Sequence, residues 1–246
     1  MPRFDGRIAL VTGAGRGIGA AVAKRLAAEG ATVVVSDVDA KNAERVAADI
    51  GGSAVAIACD VSRPASVDEL HAAIKQRLTK LDAVVTAAGI VAHRAWDDVS
   101  FEEWKRVQEV NLDGTFLVCR AASKIMRENG YGRIVTIGSS SLYLGSPDMS
   151  HYIASKGGVM TLTRALATEL GKYGITANCV SPGLTDTEGV QMTPHKDAFE
   201  EIERRQALKG RAVPERIAPV VAFFASEEAG WITGQGLVAD GGVVRW

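Results

Sequence analysis

Short apolar runs alternate with longer, alanine-rich amphipathic stretches along almost the whole chain. The apolar runs are nearly continuous, which is typical of parallel strands covered on both faces. Strands that alternate with helices in this way predict one doubly wound α/β sheet. The predicted strands are Arg7–Thr12, Thr32–Ser36, Ala54–Ala58, Ala83–Thr86, Gly132–Ile137, Thr176–Val180 and Gly236–Ala239. The predicted helices are Ile18–Glu29, Ala40–Asp49, Ser66–Leu78, Phe101–Met126 and Tyr152–Lys172.

The length fits a single domain of this type. The chain has 246 residues, of which 47% are hydrophobic, enough to build one sizeable core. We therefore expect residues 1–246 to form one Rossmann-type domain, a doubly wound parallel sheet of about seven strands with helices on both faces. One segment, at about residues 184–212, lacks a strand pattern, and its size indicates a substrate-binding lid.

Charge and composition exclude several classes of function. A formal net charge of −1 gives no field that would attract nucleic acid or an anionic membrane. No apolar stretch reaches the ~20 residues that span a bilayer, and the few residues before the first apolar run leave no room for a signal peptide. Cys59, Cys119 and Cys179 lie far apart, so neither disulfides nor a metal site is expected. These features predict a cytoplasmic protein with no nucleic-acid or membrane partner.

A glycine-rich turn, Thr12-Gly-Ala-Gly-Arg-Gly-Ile-Gly19, follows the first predicted strand and opens directly into a helix. Glycines at such a turn let backbone amides approach a pyrophosphate at the positive end of the helix dipole. The turn therefore predicts a dinucleotide site. Its candidate cofactor-binding residues are Gly13, Arg16, Gly17, Ile18 and Gly19.

Asp37 indicates which dinucleotide is bound. It ends the second strand, 18 residues beyond Gly19, close to the spacing of an acid that binds the adenosine ribose. Its carboxylate would repel a 2′-phosphate by about 4 kcal/mol at ~4 Å and an effective dielectric of 20. Arg16 acts in the opposite sense, because a basic residue in the turn can pair with that phosphate. We expect NAD rather than NADP.

Five motifs in order resemble those of the classical short-chain dehydrogenase/reductase family over essentially the whole chain. They are TGAGRGIG from Thr12, NLDGTF from Asn111, IGSSS from Ile137, YIASK from Tyr152 and SPGLTDT from Ser181. The resemblance implies an NAD(P)-dependent oxidoreductase acting on a small-molecule alcohol or carbonyl, with Asn111, Ser139, Tyr152 and Lys156 as its catalytic residues. Ser139 is chosen over its serine neighbours because it lies 13 residues before Tyr152.

The chemistry of hydride transfer explains the tyrosine and the lysine. A base must move the proton of the alcohol oxygen, and a free tyrosine, with a pKa near 10, is too weakly acidic to do this near neutral pH. Lys156 is four residues after Tyr152 and so shares its helix face. A nearby ammonium is expected to lower the pKa of the phenol. In the resembling family this lysine also binds the nicotinamide ribose, while the serine holds the substrate oxygen and the asparagine orders a water in the proton relay.

Further cofactor contacts are implied by the resemblance. Asp60 and Val61 match the pair at the adenine ring. Pro182, Gly183 and Thr187 match the motif at the carboxamide end of the nicotinamide, and Ala88 and Gly89 match a close backbone approach to the cofactor. The usual Asn-Asn-Ala-Gly reads Thr86-Ala-Ala-Gly89 here, so both asparagine side chains are missing.

The substrate is less constrained than the reaction. The lid looks similar to the branch containing pyridoxal 4-dehydrogenase and 1-phenylethanol dehydrogenase, which implies a secondary, benzylic or cyclic alcohol or a hemiacetal such as pyridoxal. The candidate substrate residues are Ser139, Ser141, Tyr143, Tyr152 and Leu184, with His93, Met149, His151 and Met192 as further pocket residues. His151 and His195 are expected at the surface or the pocket rim, outside the chemistry.

Two alternatives remain open. One is an NADPH-dependent 3-oxoacyl-[acyl-carrier-protein] reductase, which shares these motifs but is disfavoured by Asp37 and by the lack of a basic docking face. The other is a non-enzymatic cofactor-sensing protein, disfavoured by the complete catalytic set. The resemblance also implies a homotetramer, in which the helices predicted over Phe101–Met126 and Tyr152–Lys172 pair across a two-fold axis.

Overall fold

The computed structural model describes residues 2–245 and contains one parallel sheet with helices on both faces. Its seven strands are hydrogen-bonded in the order β3-β2-β1-β4-β5-β6-β7. The strands are β1 Ile8–Thr12, β2 Thr32–Asp37, β3 Ala54–Ala58, β4 Ala83–Thr86, β5 Gly132–Ile137, β6 Ile175–Pro182 and β7 Gly236–Ala239. The predicted fold class is confirmed.

The helices begin and end where local chemistry favours it. Asp39 caps the second helix by accepting from the amide of Asn42, and Gly130 ends the fifth in a left-handed conformation with φ +63°. Among residues 2–245, no helix is long and apolar enough to cross a membrane. The helices are α1 Gly17–Ala28, α2 Ala40–Ile50, α3 Pro64–Leu78, α4 Phe101–Gln108, α5 Gly114–Asn129, α6 Ser141–Leu144, α7 Ser150–Leu170, α8 Glu188–Gln191, α9 Phe199–Arg205 and α10 Pro214–Ala225.

Each face of the sheet carries its own core. On one face, Leu26 of α1 and Val221 of α10 pack with alternate residues of β1 and β2. On the other, Ile74 of α3, Met126 of α5 and Leu170 of α7 pack with the intervening residues. Burial on both faces explains why the strands are continuous in apolar residues instead of alternating.

The register of the central strands aligns their carboxyl ends. Thr12 of β1 lies opposite both Ser36 of β2 and Thr86 of β4, and Thr86 lies opposite Thr136 of β5. The order of the strands reverses between β1 and β4. A crevice therefore opens at the carboxyl ends of these two strands, the place where open α/β sheets bind ligands.

One predicted helix is interrupted. The continuous helix expected over Phe101–Met126 divides into α4 and α5, with a π-helical turn at Glu109–Asp113 between them. Asn111 lies in this turn, and its side chain is tied to another part of the chain instead of facing solvent. A π-helical turn widens the helix locally and is frequent at functional sites.

Candidate active site

The glycine turn after β1 packs too closely for side chains. Gly13 has φ +64°, and a Cβ there would lie 2.5 Å from Cα of Ala88. Gly17, with φ +56°, faces the methyl group of Thr187, which a Cβ would approach to 3.3 Å. The turn thus joins the start of α1 both to the loop after β4 and to the beginning of the predicted lid.

Asp37 lies at the end of β2 directly beside this turn. Its carboxylate accepts the amide of Gly15 at 2.9 Å and the amide of Asp39 at 3.0 Å. Arg45 donates to the carbonyl of Gly15 at 3.0 Å. Arg16 is exposed and, within residues 2–245, makes no side-chain hydrogen bond or ion pair. Asp37 is therefore fixed, while Arg16 is free to move.

Asp60 and Val61 lie in the turn after β3. The Asp60 carboxylate accepts from the hydroxyl of Ser62 at 2.6 Å and from its amide, and the hydroxyl contact is the main cause of the lowered pKa of Asp60. Val61 is buried against Gly114, where a Cβ would lie only 2.8 Å from its methyl group. This packing fixes the β3 turn against the start of α5.

Tyr152 and Lys156 lie in the first turns of α7, and both are largely buried, with exposed fractions of 9% and 6%. Nζ of Lys156 donates to the carbonyl of Ile137 at 2.8 Å. It lies 5.8 Å from the centroid of the Tyr152 ring. The helix spacing therefore places the two groups on one face, as predicted, at the carboxyl end of β5.

The pKa values of this pair differ from the expectation. Burial raises the pKa of Tyr152, and a hydrogen bond with Ser139 lowers it less strongly. Burial also lowers the pKa of Lys156 to about 8. The prediction that the lysine brings the tyrosine below its ordinary pKa is wrong for the protein alone, because desolvation disfavours both charges.

Ser139 lies two residues beyond the end of β5. Its Oγ lies 2.6 Å from Oγ of Ser141 and accepts the Ser141 amide at 3.2 Å. The two predicted substrate serines therefore form one hydroxyl pair beside Tyr152. Tyr143 lies farther along α6, where its hydroxyl contacts Ser181 and is close to Gly236 of β7.

Asn111 connects three parts of the site. Its Oδ1 accepts the amide of Ile90 at 2.8 Å, and its Nδ2 donates to the carbonyl of Ile90 and to Oγ of Ser155, both at 3.0 Å. A Cβ on Gly89 would lie 3.3 Å from Oδ1 of Asn111 and 3.6 Å from Nζ of Lys156. Ser155 was not among the predicted site residues, although it lies within the YIASK motif that could have indicated it.

The predicted lid begins where β6 ends. Pro182 accepts the amide of Ser140 at 2.9 Å, and Gly183 packs on Asp240, where a Cβ would lie 2.7 Å from the Asp240 Cβ. Leu184 is half-buried behind them. Thr187 caps α8 by accepting the amide of Val190 at 3.2 Å. The segment after β6 therefore runs from the edge of the sheet to the glycine turn, where Thr187 packs on Gly17.

Ion pairs hold the base of the lid together. Arg211 lies 3.4 Å from Asp186 and 3.0 Å from Glu203, and it stacks over the ring of Phe199. The amide of Asp186 donates to the carbonyl of Ala212 at 2.8 Å. The two ends of the segment are therefore joined.

His151 differs from the expectation. His151 is fully buried and not at the surface or the rim, because it packs between α7 and α4, where Glu103 is 3.9 Å away. His195 is half-buried and contacts His93 of the loop after β4. Of the other pocket candidates, Met149 is buried beside Tyr152, whereas Met192 is 72% exposed on the lid.

The geometry fits a dinucleotide. The glycine turn has no room for side chains at the start of α1, Asp37 is held beside it at the end of β2, and Lys156 and Tyr152 lie at the carboxyl end of β5. A dinucleotide lying along the carboxyl edge of the sheet would meet all three. No cluster of three or more metal-ligating side chains occurs in residues 2–245. The fold and this site define an α/β oxidoreductase of the dinucleotide-binding class.

Comparisons with known proteins identify the family. A family model described as enoyl-(acyl carrier protein) reductase matches residues 13–244. D-threitol dehydrogenase of Mycolicibacterium smegmatis is 38% identical over 98% of this chain and 94% of its own. The 3-oxoacyl-[acyl-carrier-protein] reductase FabG of Escherichia coli is 35% identical over 98% of both chains. A solved short-chain dehydrogenase/reductase from Mycobacterium marinum superposes with a TM-score of 0.93 at 36% identity, covering 98% of this chain and 96% of that one.

The chain belongs to the classical short-chain dehydrogenase/reductase family and is an oxidoreductase. The predicted family is confirmed. The narrower pyridoxal and phenylethanol branch is not confirmed, since the relatives above act on a sugar alcohol and on an acyl-carrier thioester.

Proposed function

We propose that the protein is an NAD-dependent dehydrogenase that interconverts an alcohol and its carbonyl by hydride transfer. One observation carries the proposal. Tyr152, Ser139 and Lys156 lie together at the carboxyl edge of the sheet, the same edge at which the glycine turn lies. A phenol, a hydroxyl and a buried ammonium close together are what proton transfer at an alcohol oxygen needs.

Each residue has a defined part in this mechanism. Ser139 binds the substrate oxygen through its hydroxyl, which Ser141 orients at 2.6 Å. Tyr152 as the phenolate takes the hydroxyl proton during oxidation, and as the phenol it returns the proton during reduction. The positive charge of a bound oxidised nicotinamide, together with Lys156, would favour the phenolate that burial alone disfavours. Lys156 has three N–H donors, one of which is used by Ile137, so the others are available for a ribose hydroxyl. Bound NAD supplies the hydride acceptor.

Asn111 is proposed as a positioning residue. Its amide holds the backbone of Ile90 through two hydrogen bonds and Ser155 through a third. Since Gly89 lies between Asn111 and Lys156, these bonds fix the edge of the cavity where the lysine ends. The water-ordering role implied by the family is compatible with this placement.

The proposed cofactor contacts fall into three groups, one for each part of the dinucleotide. The proposed pyrophosphate residues are Gly13, Arg16, Gly17, Ile18 and Gly19. The proposed ribose and adenine residues are Asp37, Asp60 and Val61. The proposed nicotinamide residues are Ala88, Gly89, Pro182, Gly183 and Thr187, together with Tyr152 and Lys156. NAD is preferred because the fixed carboxylate of Asp37 disfavours a 2′-phosphate.

We propose a small, uncharged alcohol as substrate: secondary, benzylic or cyclic, or a hemiacetal such as pyridoxal. The side chains packed around Tyr152 are Val107 and Met149, with Ile90, Ala92 and Ile153 partly buried beside them. Such apolar walls favour a ring or alkyl group next to the reacting carbon. Leu184 and Tyr143 are the proposed contacts farther from Tyr152.

The second candidate is an NADPH-dependent reductase of 3-oxoacyl carrier-protein thioesters. The observations that favour it are the 35% identity to FabG of E. coli and the description of the matching family model. Asp37 argues against it, because the carboxylate lies beside Gly15, where a 2′-phosphate would have to be accommodated.

We also propose a homotetramer in the cytoplasm, as the family resemblance implies, and two exposed aromatic side chains support the helix pairing. Phe101 and Phe116 are 66% and 44% exposed on α4 and α5, the helices proposed to pair across the two-fold axis. On α7, Gly158 packs within the chain on Leu112, whereas Ala154 is exposed and would face a partner helix.

A panel of substrates tests these assignments. The purified protein would be mixed with NAD or NADP and with pyridoxal, 1-phenylethanol, cyclohexanol or threitol, and NAD(P)H absorbance followed. A 3-oxoacyl thioester with NADH or NADPH would be tested in the reverse direction. Oxidation of an alcohol with NAD supports the proposal, whereas efficient reduction of the thioester with NADPH and no alcohol oxidation would favour the second candidate.

A further inference from the structure

The lid contacts the loop after β4 through two imidazoles. Nε2 of His93 lies 2.5 Å from Nδ1 of His195, although the residues are 102 positions apart in the chain. The ring centroids are 3.6 Å apart and the planes are inclined by 72°. His93 belongs to the loop after β4, and His195 lies in the 3₁₀ turn Pro194–Ala198 of the lid.

The His93 side of this contact is fixed relative to the catalytic tyrosine. Ala92, the preceding residue, packs with Met149 and Tyr152 in one apolar cluster. The amide of Arg94, the following residue, donates to the carbonyl of Asp148 at 2.9 Å. The loop that carries His93 is therefore tied on both sides of the histidine to the wall around Tyr152.

The His195 side is fixed within the lid. Thr193 accepts the amide of His195 at 3.3 Å, and Pro194 restricts the backbone between them. The base of the lid is separately held by Arg211 with Asp186 and Glu203. The ion pairs hold only the base of the lid. Movement of the turn Pro194–Ala198, the tip of the lid, away from the loop after β4 therefore requires the two imidazoles to separate.

The imidazoles are suited to a neutral contact. One neutral ring can donate while the other accepts. Burial is the main cause of a lowered pKa in both, and the pKa of His195 falls to about 4. Asp148 raises and His151 lowers the pKa of His93, and both effects are smaller than burial. Arg94 and Glu103 pair with each other nearby at 3.1 Å.

We propose that the His93–His195 hydrogen bond closes the outer end of the substrate cleft and makes both histidines specificity-determining residues. In the closed form, the distance between this bond and Tyr152 limits the size of the alcohol, and the two uncharged rings favour an uncharged substrate. The proposal rests on the alcohol dehydrogenase activity proposed above, whereas the closure itself does not depend on any activity.

Limited tryptic digestion measures the closure without a substrate. Lys196, Arg204 and Arg205 lie in the lid and are cleaved faster when its tip is detached. His93→Ala, His195→Ala and the double variant would be compared with Leu208→Ala, an exposed lid position outside the proposed pocket, after thermal melts confirm folding. We expect cleavage to rise about fivefold in each single variant, the effect of one lost hydrogen bond. The double variant should equal the singles, since the two rings act as a pair. His195→Gln, which keeps a donor and an acceptor, should restore most of the protection.

Kinetics with a small and a large alcohol measure the specificity. Cyclohexanol and a fused-ring sterol alcohol would be compared by their ratio of kcat/KM values. We expect the ratio to move toward the larger alcohol in both alanine variants, mainly through KM, and to stay unchanged in Leu208→Ala. Unchanged cleavage, or additive effects in the double variant, would refute the closure. An unchanged ratio despite faster cleavage would refute the role in specificity. If the wild type oxidised neither alcohol, the proposed function would fail while the digestion still decided the closure.

Discussion

Lys156 donates to the carbonyl of Ile137 at 2.8 Å, and this bond fixes the ammonium at the end of β5 instead of against the phenol of Tyr152. The lysine is thereby placed between the tyrosine and Gly89, the position from which it can contact both a bound ribose and the tyrosine. Because both side chains are buried, each of them disfavours its charged form in the protein alone.

Tyr152→Phe is expected to reduce kcat for alcohol oxidation by about 10³-fold, the usual contribution of a positioned acid–base group. NADH binding should be retained, because the change removes one hydroxyl and no backbone contact. Steady-state kinetics and NADH fluorescence titration check both statements. Full activity in this variant would contradict the mechanism, and Tyr173→Phe provides a control tyrosine outside the site.

Asp37→Asn is expected to shift the ratio of kcat/KM for NAD over NADP toward NADP by about 10- to 100-fold, part of the ~4 kcal/mol repulsion estimated for a carboxylate and a phosphate at 4 Å. The amide oxygen can still accept the Gly15 amide, so the contact with the glycine turn is kept, although the hydrogen bond from the Asp39 amide is lost. Asp39→Asn, an exposed acid two residues along, is the control. An NADP preference in the wild type would contradict the assignment.

Gly13→Ala and Gly51→Ala separate backbone strain from close packing. Both glycines have positive φ, +64° and +88°, but only Gly13 lies against other backbone, whereas a Cβ on Gly51 would meet nothing within 4 Å. We expect about 1 kcal/mol of lost stability for Gly51→Ala. Gly13→Ala should lose several times more, together with cofactor binding. Urea unfolding and NADH titration measure the two effects, and equal losses would contradict the packing argument.

The lysine predicts a pH dependence of stability. A pKa lowered to about 8 in the folded protein, from 10.5 when unfolded, means that the folded state binds the proton less readily. Stability therefore increases as pH rises from 8 to 10.5 and is reduced by a constant amount below 8. Relative to Lys156→Met, wild-type stability should increase by about 3 kcal/mol between pH 7 and 10.5.

Urea unfolding at several pH values measures this difference. Lys124→Met, at an exposed position of α5, controls for the loss of a positive charge alone. If the difference in unfolding free energy between wild type and Lys156→Met stayed constant across this pH range, burial would not lower the pKa of Lys156.

Phe116→Asp is expected to convert a tetramer of 25.9 kDa chains into smaller species, since a carboxylate cannot be buried unpaired between helices. Leu208→Asp, an exposed position in the lid, should leave the mass unchanged. Light scattering measures both variants and the wild type. A monomeric wild type would contradict the proposed helix pairing.

The motifs predicted much of the site because they are short and local. The spacing of Tyr152 and Lys156 on one helix face follows from 3.6 residues per turn, and the glycine turn follows from its position between a strand and a helix. The order of strands and helices then placed the glycine turn and the Tyr152–Lys156 pair at the carboxyl edge of the sheet. The apolar runs do not define where a strand ends, and β6 extends to Pro182, beyond the predicted Val180.

Other features depended on residues distant in the chain. The π-helical turn at Glu109–Asp113 coincides with the bonds from Asn111 to Ile90 and Ser155, which no local pattern reveals. The burial of His151 depends on the packing of α4 against α7.

The sequence by itself determined the parallel α/β sheet, the family and the residues of the candidate catalytic set, because periodicity and motif spacing are properties of neighbouring residues. Tertiary structure alone decided the pKa direction of Tyr152 and the meeting of His93 with His195. Desolvation depends on everything packed around a group, and a contact between residues 102 positions apart exists only once the sheet has brought their loops to the same edge.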